Sequence, residues 1–582
     1  AFAIVLSTFN ALTLTPTLSG LLLRHQPPIG GWLGAFFNRF NQVLDVIRGG
    51  YRQSLEALNA FKPVVLAIFV ALLVVTAWLY RAVPSAFLPD EDQGYFITLV
   101  QGPEGVSLSY TSDVMSRVEE EILAMPGVRA TFAVGGFGFA GSSSNNGVVF
   151  TTLNPWAERG PGESAQAMIG QLFGKFSQIT EARVFPVNPP AIQGLGQFGG
   201  FQYQLQDRQG NLGLNDLVQQ MGALLGAANQ NPNLQGVFST YSAATPQLLI
   251  EVNRDRAKAL DVDIDDVFST LQTYIGSRYV NDFNQGQRTY RVYVQADEQF
   301  RSKPDDLSKL YVRSGRGEMI PLANLITITP DTGAQTINHY NLYRAIEING
   351  APAPGVSSGA ALNTMQEISA QVLPPSMGYE WAGVSLEEIE SGGQAPIIFG
   401  LGLVFVFLVL AAQYESFIDP VIILFAVPLA VLGALLAQSM RGFPNDVYCQ
   451  IGLVMLIGLA SKNSILIVEF ANQLRDEGLP IVKAAFEAAE QRMRPILMTT
   501  ISTLVGIFPL VIATGAGAGS RQSLGTAVFG GMFVATFLSL FVVPILYILV
   551  KHLSDRFLGG PPAQRAARDE GDRQLVLPTA PR

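Results

Sequence analysis

Seven runs of this chain are each apolar over about the 20 residues that a helix needs to cross a bilayer core about 30 Å thick, and that requirement fixes its class. They fall at roughly 1–23, 63–82, 396–413, 420–440, 447–470, 495–513 and 523–550. In lipid only a helix satisfies every backbone N–H and C=O within one such run. The overall balance agrees: 48% of the residues are hydrophobic, 14% are charged and mean hydropathy is +0.28, too oily for a soluble globular protein of 582 residues. Residues 83–395 differ, with strand-like alternation, Gly/Pro turns and no span, and they read as a large water-exposed domain.

Short loops rich in Lys and Arg stay in the cytoplasm, whereas long domains cross regardless of charge. The segment 24–62 carries Arg24, Arg39, Arg48, Arg52 and Lys62; 471–494, read as a loop, carries Arg475, Lys483, Arg492 and Arg494; the end beyond 550 carries Lys551, Arg556, Arg565 and Arg568. Counting spans puts all three on one side, and the 83–395 domain on the other; Arg441 and Arg521 are exceptions. The single cysteine, Cys449, lies in a span, so no disulfide braces the outer domain. A net charge of −9 argues against a nucleic-acid partner.

The division that follows is a partial span at 1–23, an amphipathic helix and linker at 24–62, a span at 63–82, the outer domain at 83–395, five spans within 396–553 and a disordered cytoplasmic tail at 554–582. The chain starts without Met or a basic leader, as if a helix were entered part-way. In 31–59, Trp32, Phe36, Phe37, Phe40, Val43, Leu44 and Ile47 recur at helical spacing. That stripe suits a helix lying in the inner membrane surface, or one packed on the other spans. In the outer domain, strand-like runs at 95–101, 128–134, 147–153 and 182–187 alternate with helical runs at 107–125 and 163–179. The order β-α-β-β-α-β is that of a split βαβ (ferredoxin-like) sandwich, and a similar series restarts at FQYQLQD (201–207). The fold class expected is an α-helical membrane domain plus an extracytoplasmic α/β domain of two or more such sandwiches.

One residue breaks the oil. Lys462 sits in MLIGLASKNSILIVEF (455–470), where an ammonium costs about 2.5–3.5 kcal/mol on insertion scales. No Asp or Glu occupies the middle of any span, and Glu469, seven residues on, is the only nearby acid. Either Lys462 snorkels toward Glu469, or it belongs to a polar cluster whose acids are not in this chain. Ser461, Asn463 and Ser464 flank it, and RMRPILMTTISTLVG sets Arg492 and Thr499 on one face, continued by Ser502 and Thr503. Hydroxyls in spans also serve helix packing. A carboxylate attracts the ammonium and its protonation removes that attraction, which lets a proton gradient re-pack helices.

GLASKNSILIVEF, RMRPILMTTISTLVGIFPL, ATGAGAGSRQSLGTAVFGGM, AAQYESFIDP, RGFPNDVYCQIGL, FLPDEDQG and GGFGFAG together resemble the inner-membrane pumps of the resistance-nodulation-division superfamily, in its hydrophobe/amphiphile efflux branch. The resemblance reaches to about residue 553. It implies twelve spans in two homologous halves, with this chain running from the end of the sixth span through the twelfth, and the proton-carrying aspartates in the other half. Lys462, Arg492 and Thr499 match the family's proton-relay positions, and Arg494 would anchor its span at the interface. Protons would be the coupling ion, with no other cofactor.

In GGFGFAGSSSNNGVVF the resemblance is to a glycine-rich switch loop, with Gly135, Gly136, Gly138 and Gly141 as its flexible points. Phe132, Phe137, Phe139 and Phe150 match aromatic positions of an inner substrate pocket, and Phe185 one nearer its entrance. A basic residue often stands where this chain has Ser142, and Val187 replaces a second entrance aromatic. TPQLLIEVNRDRAKALDVDIDDVFSTLQ through YVNDFNQGQRTYRVYV resembles a docking subdomain. The implied partners are the amino-terminal half, two further copies in a homotrimer, a periplasmic adaptor, an outer-membrane channel and small amphiphilic substrates. The implied place is the bacterial inner membrane, with the large domain in the periplasm.

No P-loop, zinc-type Cys/His cluster or nucleophile triad is visible, so neither a catalytic nor a metal site is expected. Three readings compete with drug export. Metal export would need clustered methionines, and those of the outer domain are scattered. Lipid export would use the same relay with a larger or membrane-open pocket. A membrane-anchored sensor or scaffold would have no use for Lys462.

Overall fold

The computed structural model describes residues 2–22, 31–89, 91–139, 141–210 and 212–558. The segment after 558, and the side chains of Phe36, Phe37 and Phe40, lie outside the described residues. Residues up to Glu91 and from Glu390 onward form one compact unit, and Asp92–Ile389 another.

Among the described residues of the first unit, seven helices are long and apolar enough to cross a membrane: Val5–Leu22, Lys62–Ala82, Ala395–Tyr414, Ile418–Arg441, Val447–Asp476, Ile481–Val511 and Ala518–Arg556, the first to seventh spans below. The fourth, fifth and seventh are mostly buried, and the others are largely exposed. Small residues let these inner helices close up. A Cβ added at Gly530 would collide with Ala437, and one at Gly433 with the Gly530 carbonyl. Gly442 (φ +71°) ends the fourth span and its N–H returns to the helix's last carbonyls, while Asp446 caps the fifth by accepting from the Cys449 N–H at 2.7 Å.

Two expectations change here. The stretch 471–494 is not a loop: the fifth span continues to Asp476 and the sixth starts at Ile481, with a tight turn at Gly478 (φ +98°) between them. Its charges end the apolar run without ending the helix, because Ala484, Ala485, Ala488 and Ala489 form a buried stripe of their own. Likewise the last helix persists to Leu558, past the point where a tail was expected. The amphipathic helix, Gly31–Ala60, settles between its two readings along its length. Its second half packs on the bundle: Tyr51 and Leu55 are buried, Tyr51 Oη donates to the Leu540 carbonyl at 2.6 Å, and Arg48 and Arg52 pair with Glu490 at 2.9 and 2.8 Å. Trp32, in its first half, is exposed.

The second unit begins with strands β1 (Tyr95–Gln101), β2 (Val128–Gly135), β3 (Asn146–Leu153) and β4 (Arg183–Val187), joined through helices Leu108–Leu123 and Ala165–Phe176. The sheet order is β2-β3-β1-β4, antiparallel throughout. Period-2 alternation sorts its faces. Phe96 and Val100 pack under the two helices with Val118, Ile122, Met168 and Leu172, whereas Ile97 and Leu99 point the other way, beside Val148, Phe150, Phe185 and Val187.

A second sheet starts at Phe201–Asp207, but its central partner is Tyr343–Pro352, with Met377–Ala382 on the far side. The second sheet therefore does not follow the first as an uninterrupted repeat. Residues 245–333 are inserted in it, with their own core around Val267, Leu307, Leu322 and Leu325 and an exposed hairpin, Arg278–Gln285 with Arg288–Val294.

At the end of this unit, helix Gly383–Gly392 carries Glu388, which accepts from Ser358 Oγ at 2.8 Å. Burial pushes its carboxyl up to about 7. The folded state thus holds a proton that the unfolded chain releases at ordinary carboxylate pH, so stability falls as pH rises from the usual glutamate value through about 7. Glu388→Gln removes that loss. It is expected to raise stability by roughly 2–3 kcal/mol at pH 8 and to change little at pH 4, checked by thermal unfolding at both pH values.

Candidate functional site

The apolar face of the first sheet does not end in solvent. Leu99, Val148 and Phe185 form one wall of a cavity of about 600 Å³, and the loop between β2 and β3 closes over it with Gly138, Phe139, Gly141 and Ser142. Cross-strand register explains the wall, since Leu99 lies opposite Val148 on one side and Phe185 on the other. The loop needs its glycines at specific points. Gly136 (φ +77°) and Gly141 (φ +145°) occupy conformations that strain other residues, and a Cβ on Gly138 would lie 3.0 Å from the Gly141 carbonyl oxygen. Gly136 N–H donates to the Asn146 carbonyl at 2.7 Å and Ser143 N–H to the Gly136 carbonyl at 3.2 Å, so the loop folds back on its own stem.

The five phenylalanines named from the sequence separate. Phe139 and Phe185 line the cavity. Phe137 meets Phe139 edge-on at 5.7 Å but stands outside the lining. Phe132 is 67% exposed and stacks on Phe150 at 6.3 Å, and neither is part of the lining. Gly138 and Gly141 border it, and Gly135 and Gly136 do not. Two further aromatics complete the cluster: Phe198 packs at right angles on Phe139 at 5.2 Å and Phe238 stacks on Phe185 at 4.5 Å. Neither sits in a motif, so the sequence offered no signal for them beyond their type.

In the membrane unit, Lys462 lies on the exposed face of the fifth span, and no ion pair or hydrogen bond reaches it among the described residues. Glu469 accepts instead from Gln473 Nε2 at 3.0 Å. Helical rotation turns the flanking Ser461, Asn463 and Ser464 inward, where all three are buried. Asn463 Nδ2 donates to Thr536 Oγ1 at 3.1 Å, and Thr536 Oγ1 shares a hydrogen bond with Thr500 Oγ1 at 3.0 Å. Thr499 turns back on its own helix, donating to the Ile496 carbonyl at 3.0 Å. Arg492 holds its guanidinium 4.5 Å above the Phe470 ring, with Nε buried and unpartnered, and Arg494 donates to Asn41 Oδ1 at 3.3 Å. The three residues matched to a proton relay therefore lie on two adjacent helices, and no hydrogen bond joins them among the described residues.

Residues 1–551 match the AcrB/AcrD/AcrF family. The chain belongs to that family. It is 41% identical over 561 residues to multidrug resistance protein MdtF of Escherichia coli, covering 95% of this chain and 54% of the relative. It is 40% identical over 559 residues to the multidrug/solvent efflux pump membrane transporter MepB of Pseudomonas putida (95% and 53%) and to multidrug export protein AcrF of Escherichia coli (94% and 54%). The chain spans about half the length of the curated relatives it matches.

Membership of the AcrB/AcrD/AcrF family places these helices among transporters of the resistance-nodulation-division type. One feature of this member went unnoticed in its sequence. Asp419, in AAQYESFIDP, is buried at the start of the fourth span, 2.7 Å from Lys551 Nζ on the seventh. Asn472 Nδ2 donates to Asp419 Oδ2 at 3.2 Å and Tyr547 Oη to Asn472 Oδ1 at 2.7 Å. Arg475, also buried, pairs with Asp555 at 2.8 Å one turn further along. The signal was a carboxylate and an ammonium at ends of spans that counting puts on the same side of the membrane.

Proposed function

We propose that this chain supplies half of a proton-driven exporter of hydrophobic and amphiphilic compounds in the bacterial inner membrane. The observation that carries the reading is Lys462, an unpaired ammonium on the open face of an apolar helix. A charge so placed costs energy that only a partner outside this chain can return, and aspartates on a facing helix would do so. Protonation of those acids would release the ammonium, with Arg492 and Thr499 further along the same path, and the proton gradient would drive re-packing of the spans. The relatives' names, multidrug and solvent efflux, agree with the cargo.

On this reading the Asp92–Ile389 unit stands in the periplasm and its two larger sheets belong to ferredoxin-like sandwiches that clasp substrate. The hairpin Arg278–Gln285 with Arg288–Val294 would contact a neighbouring copy in a trimer, because Tyr279, Phe283, Tyr290 and Tyr293 expose large rings that a lone protomer leaves in water. The same end would receive a periplasmic adaptor and an outer-membrane channel. Lipid as cargo is the second reading. It is favoured by an apolar cavity of about 370 Å³ among the second, third and fourth spans, lined by Phe399, Leu403, Phe425 and Val431.

The test is co-expression with a matching amino-terminal half in inverted membrane vesicles energised with a proton gradient. Dye accumulation that requires both polypeptides is the expected result. Transport by this chain alone would overturn the half-transporter reading, and transport of a fluorescent phospholipid in place of dye would select the second cargo.

A further inference from the structure

Lys462 on the fifth span and Thr499 on the sixth are each followed by a buried polar residue, and both followers dock on the same atom. Asn463 donates from Nδ2 to Thr536 Oγ1 at 3.1 Å, and Thr500 Oγ1 shares a hydrogen bond with that oxygen at 3.0 Å. Thr536 belongs to the seventh span and is wholly buried. One hydroxyl therefore joins three helices beside Lys462. A threonine hydroxyl has one proton and two lone pairs, so accepting from Asn463 still leaves it able to bond Thr500 in either sense.

Packing sets the spacing of these helices without fixing their rotation. A Cβ on Gly452 would lie 3.0 Å from Ala527 Cβ, and one on Gly531 would collide with Leu456. Such contacts limit approach, whereas a hydrogen bond also has a direction, and inside a bilayer no water replaces it. Successive residues of an α-helix are turned by about 100°, so anchoring Asn463 on the seventh span sets where Lys462 points, and anchoring Thr500 does the same for Thr499.

We propose that Thr536 is a positioning residue of the proton step: through Asn463 and Thr500 it fixes the rotation of the fifth and sixth spans, and with it the directions of Lys462 and Thr499. The inference rests on the reading of those two as relay residues and adds the element that aims them. It gives the seventh span a part in the cycle. Thr536 acts through its two partners and not on the proton itself.

The test uses variants of this chain co-expressed with the matching amino-terminal half in energised inverted vesicles. The maximal rate of dye export and the dye concentration at half-maximal rate are read separately. Thr536→Val keeps the shape and removes the hydroxyl. It is expected to lower the maximal rate about tenfold and to leave the half-maximal concentration within about twofold, because aim governs the proton step and not the dye site. Thr536→Ser, which keeps the hydroxyl, should restore the rate, and Thr500→Val, which cuts the sixth-span limb alone, should lose less. Tyr547→Phe is the control, removing a hydroxyl that joins the seventh span to Asn472 of the fifth at 2.7 Å, and it should export at the parent rate. Unfolding in detergent shows which variants are folded, and Thr500→Val decides the matter if Thr536→Val is not. A parent rate in the valine variants, a loss that Thr536→Ser does not restore, or an equal loss in Tyr547→Phe overturns the positioning role; if Lys462→Ala still abolishes export, the relay reading stands. Parent-level export in Lys462→Ala, or none from the parent pair, takes down the relay reading and this inference together.

Discussion

Lys462→Ala in the assembled transporter is expected to lower proton-coupled dye export about 100-fold or more, while the thermal stability of this chain stays the same or rises. The two halves of that expectation have separate causes. Stability does not suffer because Lys462 makes no ion pair or hydrogen bond among the described residues, and the change removes a charge whose insertion costs about 2.5–3.5 kcal/mol. On the proposed reading export suffers because the ammonium is the only charge at that depth of the fifth span that could sense whether a facing carboxylate is ionised. Lys462→Arg keeps the charge but swaps a compact ammonium for a planar fork, so partial export should remain. Transport in energised vesicles and unfolding in detergent measure the two effects independently. Export at the parent rate in the alanine variant would end the relay assignment, and a large fall in melting temperature would mean that Lys462 is held by contacts within this chain.

Asp419→Ala is expected to behave oppositely, costing about 3–5 kcal/mol of stability, because it strands a buried ammonium. Lys551 and Asp419 retain only 13% and 6% of their side-chain exposure, and Nζ approaches Oδ1 at 2.7 Å, off the axis of a hydrogen bond. The Tyr547 ring, 5.6 Å from Nζ, offers some compensation. Lys551→Met alone should destabilise comparably by leaving the carboxylate unpaired. The double variant, Asp419→Leu with Lys551→Met, should recover most of the loss, because two apolar side chains replace two desolvated charges. Strictly additive losses in the double variant would show that the pair is not coupled.

The legible part of the molecule is the part written in short periods. Apolar runs marked the seven spans, and alternation in YFITLVQ put Phe96 and Ile97 on opposite faces of the first sheet. The same reading failed at 471–494, where charge was taken for loop although buried alanines keep the helix going. It also failed to see that Phe201–Asp207 pairs with a strand more than 130 residues away, since an insertion of 245–333 is invisible to any local pattern. At the cavity, the family resemblance pointed to the loop and to Phe139 and Phe185. Phe198, Phe238 and Glu347 arrive from other segments that only packing brings near.

By itself the sequence determined which segments lie in oil, that their backbones are helical, and that one of them carries a lysine with no acid in the middle of any span to match it. Those are demands of solvent and hydrogen bonding on single segments, so a single segment displays them. Only the tertiary structure decided that Lys462 faces outward while its neighbours face in, that Asp419 meets Lys551, and that Asn463 and Thr500 meet on the Thr536 hydroxyl. Each of these is a relation between residues distant in the chain. Close packing creates such relations, and no repeat along the backbone records them.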